Sequence, residues 1–141
     1  MYLRILAAPV LSLGLAVAWL TSLPLAQSPP PVIKGAEGIK RTPLQKFDVA
    51  GTAFETIIGT AEIQPDVSIG RHSHFGVEAG YVLEGEATLM LDGQPPKAIK
   101  AGDSYVIPAG VVHDAKAGPK GTKVLATYVV EKGKVFATPA K

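Results

Sequence analysis

An all-β fold, a sandwich or barrel of short strands, is the class this sequence predicts, and three observations predict it. From Leu44 onward, runs rich in Thr, Val, Ile, Phe and Tyr are divided by turn chemistry at Pro65-Asp66, Gly85, Asp92-Gly93, Pro108-Ala-Gly110, Gly118-Pro119 and Gly121. Ala87, Leu89 and Leu91 alternate with Glu86, Thr88 and Met90, the period of a half-buried strand. Outside the first 26 residues no window of helical length carries a 3.6-residue period.

The chain opens with a segment that stands apart from that fold. Arg4 supplies a positive start, Ile5 to Leu20 is uncharged and apolar, and Thr21-Ser-Leu-Pro-Leu-Ala26 ends it in small residues. This is the layout of a secretory signal peptide, an apolar helix removed after Ala26. The competing reading is an uncleaved anchor, since about 20 apolar residues span a bilayer; Pro9, Gly14 and Pro24 interrupt the run and favour cleavage. Either way the remainder is expected outside the cytoplasm, periplasmic or secreted, with no membrane contact in the mature form.

Residues 27–43 read as a flexible tether. Ser28-Pro-Pro-Pro31 favours polyproline II, and Gly35, Gly38 and Pro43 work against regular structure. The folded domain is expected over residues 44–132, with strands at Phe54 to Ile63, Ala79 to Glu84, Ala87 to Leu91, Ser104 to Ile107, Val111 to Asp114 and Thr122 to Glu131. Asp92-Gly93 marks a hairpin. Residues 133–141 form a C-terminal tail.

Composition removes several classes. The 141 residues carry a net charge of +2 with no block of like charges, so no nucleic-acid or anionic-membrane footprint is present. The chain has no cysteine, which excludes a disulfide framework, a thiolate nucleophile and a zinc knuckle.

The chemistry concentrates in two segments, Gly70-Arg-His-Ser-His-Phe-Gly-Val-Glu78 and Gly102 to His113, which hold all three histidines of the chain. His72, His74 and Glu78 share strand parity, so a regular strand through Gly76 turns them to one face. Gly76 lies on that same face and is expected to leave room between them. His113 is the expected fourth arm. Three imidazoles and one carboxylate suit a divalent transition metal ion (Fe, Mn, Ni, Cu or Zn) better than calcium or magnesium, which take oxygen shells.

These segments resemble the two motifs of the cupin family. His72-x-His74 is followed after three residues by Glu78 and after six more by Gly85; Gly102 is followed after five by Pro108-Ala-Gly110 and after two by His113. Two positions depart from the family pattern: Asp66 stands at the first motif's opening glycine and Ala117 at the second motif's closing asparagine. The resemblance, over roughly residues 44 to 130, implies a small antiparallel jelly-roll barrel with the metal bound by His72, His74, Glu78 and His113. With every histidine a ligand and no thiol present, base chemistry falls to Glu78, a metal-bound hydroxide, a tyrosine or another carboxylate. Tyr81, Tyr105 and Tyr128 are candidates to line the pocket. By resemblance, the expectation is an oxidoreductase of dioxygenase type acting on an enolisable or phenolic small molecule, with Glu78 as catalytic residue. A redox-inactive lyase or isomerase, or a binding module without turnover, is the alternative. A homodimer is expected by the same resemblance.

Overall fold

Turn chemistry cuts the described chain into eight strands, all paired antiparallel in one curled sheet. The structure is a computed structural model and describes residues 37–141. The expected signal peptide and most of the expected tether lie outside the described residues. The strands are β1 (Ile39–Asp48), β2 (Phe54–Ile63), β3 (His72–Ser73), β4 (Gly76–Leu91), β5 (Lys97–Lys100), β6 (Ser104–Ile107), β7 (His113–Glu131) and β8 (Thr138–Pro139). β7 is the organising strand, because it pairs with β2, β3 and β4, while β4 carries β5 and β6 on its other edge.

Three expectations need correction. The domain begins at Ile39 rather than Leu44, because Lys40, Arg41 and Thr42 pair with Glu62, Ala61 and Thr60. Pro43 does not prevent this: β1 is an edge strand with a register shift between Pro43 and Gln45, where a missing N–H is tolerated. Ala79 to Glu84 and Ala87 to Leu91 are one strand, β4. Gly85, at φ 74°, belongs to a bulge in it rather than to a turn between strands. Likewise the expected strands Val111 to Asp114 and Thr122 to Glu131 are joined as β7, which starts at His113 and leaves Val111 and Val112 outside it. Ala87 faces Ala117 and Gly85 faces Thr122, so Gly118 to Gly121 bulge opposite Glu86 alone. Glycine and proline here bend a long strand around a corner instead of ending it.

The bulges also set which side chains face inward. In β4 the even residues Gly76, Glu78, Gly80 and Val82 are buried, but beyond the bulges it is the odd ones, Ala87 and Leu89. Val82, Ala87 and Leu89 join Ala61, Ile99, Ile107 and Val124 in the core. The polar Glu78 is thus placed on the inner face of a central strand, between Ile107 of β6 and Tyr128 of β7.

Asp66 has φ 60°, the left-handed region that glycine enters at least cost and that aspartate tolerates better than most residues. The departure from the family glycine therefore keeps the backbone shape. Ala117, the other departure, is buried in the interior.

Candidate metal centre

The four expected ligands meet. Taking one donor atom from each of His72, His74, Glu78 and His113, all lie within 4.8 Å of one another. Their convergence does not come from alternation along one regular strand. β3 ends at Ser73 and β4 begins at Gly76, with an interruption at His74 and Phe75. The His74 carbonyl accepts from Gly110 N at 3.0 Å and the Phe75 carbonyl from Glu131 N at 3.0 Å, so the chain changes partners between the two ligands. His72 pairs across to His113, which brings the first and last ligands side by side, with ring centroids 4.2 Å apart. Gly76 does not make space for the ligands. A Cβ there would overlap the Val129 carbonyl and lie 2.6 Å from Val130 Cα, so glycine lets β4 meet the β7 backbone.

The imidazoles are oriented from behind. Nδ1 of His72 lies 2.7 Å from the Gly70 carbonyl, that of His74 2.6 Å from the Phe136 carbonyl, and that of His113 2.9 Å from the Val111 carbonyl. A carbonyl only accepts, so each Nδ1 carries the proton, and in the neutral ring each Nε2 presents a bare lone pair. Nε2 of His74 and of His113 are buried without a hydrogen-bond partner, and they stand 3.2 and 3.3 Å from Glu78 Oε2. Lone pairs on three buried atoms facing one another repel unless a proton or a cation lies between them. A divalent ion with imidazole and carboxylate ligands meets that need, and hydrogen bonds behind the rings are the support such ligands use.

Electrostatics follow this crowding. Burial pushes the Glu78 carboxyl up, but hydrogen bonds and charge from His113 and His74 outweigh it and hold the group at about 2. Those hydrogen bonds exist only when an imidazole is protonated, so they describe the metal-free form. Burial lowers His113, and the Glu78 contact then carries it above its ordinary value. Burial is the main cause that leaves His72 below its own.

Two tyrosines complete the inner wall. Tyr105 donates to Glu78 Oε1 at 3.0 Å. It can do so because its ring lies over Gly80, its cross-strand partner, where any Cβ would collide with it. Tyr128 stacks edge-on to His74 at 5.0 Å. Burial raises both hydroxyls, and the Glu78 charge raises them further, so both stay protonated at neutral pH. Tyr81 is exposed on the outer face and takes no part. The enclosed space beside the imidazoles is about 20 Å³, lined by His72, Glu78, His113, Tyr105, Tyr128 and Arg41 among others.

Sequence reasoning missed Arg41 and Phe136, because both fell in stretches read as tether and tail. A glycine on the same strand face as Glu78 and two residues beyond it was the available signal for a large partner such as Tyr105.

The fold is that of a cupin-type β-barrel, with a cluster of three imidazoles and a carboxylate that could hold a metal ion, and comparison with known proteins agrees on the fold. Residues 59–128 match the family model described as a cupin domain. A segment of 69 residues is 33% identical to dimethylsulfoniopropionate lyase DddW of Ruegeria pomeroyi; it is 49% of this chain and 45% of that protein. The chain thus spans less than half the length of that relative. Among solved structures, a cupin superfamily protein of Desulfitobacterium hafniense superposes with a TM-score of 0.57 at 21% identity, covering 67% of this chain and 80% of that one. The lyase DddQ of Ruegeria pomeroyi superposes with a TM-score of 0.57 at 19% identity, covering 60% and 43%. At these identities the structural likeness speaks for the fold.

Proposed function

We propose that this chain is an exported, mononuclear transition-metal enzyme that carries out lyase chemistry on a small organic acid. The observation that carries the metal assignment is the pair of buried, unpartnered Nε2 atoms aimed at Glu78 Oε2. Support for the lyase reading comes from the segment shared with a dimethylsulfoniopropionate lyase.

His72, His74 and His113 would hold the ion as neutral ligands, with Glu78 Oε2 as the anionic one. When bound, the ion supplies Lewis-acid polarisation of a substrate oxygen. In a β-elimination, a base removes the proton from the carbon next to the carboxylate, that electron pair forms the C=C bond, and the leaving group departs with the C–X pair. Glu78 is the expected base, because its Oε1 is turned away from the imidazoles and can accept a proton while Oε2 faces them. Tyr105 fixes the direction of that oxygen.

The test combines metal analysis with turnover. Purified protein should hold about one transition-metal ion per chain, and His74→Ala should lose it. Glu78→Gln should lose turnover by far more than occupancy, by about 10²–10⁴-fold if Glu78 is the base. Proton NMR of β-substituted propionates, dimethylsulfoniopropionate among them, should show alkene products. Full activity of Glu78→Gln at full occupancy removes Glu78 from the chemistry. A second reading, dioxygenase, rests on the donor set, since an ion held by three imidazoles and one carboxylate could take further ligands such as substrate and dioxygen. Oxygen uptake with enols and diphenols decides between them, and metal loading without any turnover would leave a binding module.

A further inference from the structure

One charged side chain reaches the site without a role in the metal shell. Arg41 lies on β1 opposite Ala61, whose side chain belongs to the buried core, so Arg41 stands on the inner face of the sheet. It is half-buried and lines the same space as His72, Glu78, His113, Tyr105 and Tyr128. Its charge is felt there. Burial and the Glu78 charge raise the Tyr128 hydroxyl, and Arg41 opposes them.

Among the described residues Arg41 lies within ion-pair distance of no carboxylate, as do Lys97, Lys100, Lys116, Lys120, Lys134 and Lys141. What sets Arg41 apart from those lysines is that it lines the space beside the imidazoles. The carboxylate lining the space, Glu78, is committed to the imidazoles through Oε2 and to Tyr105 through Oε1. With neutral imidazoles, a divalent ion, one carboxylate and one guanidinium leave the space with two uncompensated positive charges. A half-buried cation beside a cationic centre is costly unless an anion joins it.

We infer that Arg41 is the anchor for an anionic group of the substrate, so that the site takes an acid with one oxygen at the metal position and a carboxylate on the Arg41 fork. This inference rests on the metal reading and adds the substrate's charge. A guanidinium suits the task because it is planar, permanently charged and bidentate toward carboxylates. The competing structural role, in which the Arg41 stem simply covers Tyr128, predicts no anion dependence.

Malonate, with malonamide as its uncharged control, tests this on the mature chain loaded with Co²⁺. The parent should bind malonate, read by calorimetry and by the Co²⁺ absorption band, and should ignore malonamide. Arg41→Met should bind malonate about 10- to 100-fold more weakly, the loss of a charge-assisted bond, while Co²⁺ affinity does not fall. Arg41→Lys should fall between the two, keeping the charge without the fork. Equal malonate affinity in the parent and Arg41→Met, or no malonate binding by the parent, overturns the inference. If Co²⁺ fails to load in the parent, the metal reading falls instead. Thermal shifts of metal-free protein with malonate then decide Arg41 alone: a shift lost in Arg41→Met sustains it, and no shift or an equal shift overturns it.

Discussion

Glu78 is the residue on which most of the site depends, because each of its oxygens has a separate task. Its carboxyl is held at about 2 against an ordinary value of 4.5, so its contribution to stability is present above 4.5 and is lost as pH falls toward 2. A shift of that size corresponds to about 3 kcal/mol at most, so metal-free protein should lose stability steeply below pH 4.5. Urea midpoints across that range check this. Metal-bound protein should show the companion effect. Protons compete for the imidazoles, so the rise in Tm on adding zinc should shrink as pH drops below about 6.5. A zinc-induced rise independent of pH between 5 and 8 would contradict histidine ligation.

Gly80 is the second residue whose role is specific. In Gly80→Ala the new methyl meets the Tyr105 ring, which must leave its place over β4 and release Glu78 Oε1. Overpacking of this kind costs about 1–3 kcal/mol. The variant should melt lower, and its metal affinity should fall as well, whereas Tyr105→Phe should keep the packing and lose only the hydrogen bond. Chelator competition on both variants separates the two effects.

At the scale of elements, the C-terminal segment is part of the site. β8 pairs with β3, opposing Thr138 to Ser73 and Pro139 to His72, and Ala140 N donates to the Arg71 carbonyl at 2.9 Å. This brings the Phe136 carbonyl to His74 Nδ1 and the Phe136 ring to 4.9 Å from the imidazole. Ending the chain after Gly133 should therefore weaken zinc binding about tenfold or more, in the range seen when such supports are removed, while the far-ultraviolet spectrum stays β-type. Unchanged zinc affinity in the shortened chain would show that His74 orients itself.

The same elements show what could be read from residue order. The grouping of His72, His74 and Glu78 was legible because their spacing is a local property, and that of His113 only through its place in the second motif; β2 and β6 were legible to the residue because turn chemistry flanks them. The continuity of β4 and β7 was not. Gly85 and Gly118-Pro119 look alike in sequence whether they end a strand or bend it, and only the partner across the ladder decides. β1 was hidden for a related reason: Pro43 forbids an inner strand but permits an edge, and edge position is a tertiary fact. Arg41 was lost with it.

For the whole molecule, the outer face of the sheet is the remaining conspicuous surface. Three successive cross-strand rows carry no charge: Phe47, Thr56, Val129 and Val77; then Gln45, Ile58, Thr127, Ala79 and Val106; then Thr60, Leu125, Tyr81 and Ser104. Phe47, Val77, Tyr81, Val106 and Val129 are exposed on it. An uncharged face of this breadth is complementary to a copy of itself and suits the expected homodimer. Protein recovered from the exported fraction should begin near Gln27 and scatter light as a dimer, and Val106→Asp should yield monomers. Monomeric parent protein at all concentrations, or intact Met1 in the soluble cytoplasmic fraction, would refute the respective half of this expectation.

The placement of His113 has a consequence for how the protein behaves in a cell. Its 35-residue separation from Glu78 is closed only when β3, β4 and β7 have all docked, so an unfolded chain offers no preassembled claw for the ion. Binding and folding would then draw on one equilibrium, and an ion held there would add RT ln(1 + [L]/Kd) to the stability of every folded copy. At a free-ion level 100 times Kd this is about 2.7 kcal/mol, a sizeable share of what a small domain possesses. Scarcity of the metal would accordingly thin the population of intact molecules through proteolysis of the unfolded ones, making trace-element supply a control on abundance before any question of turnover arises.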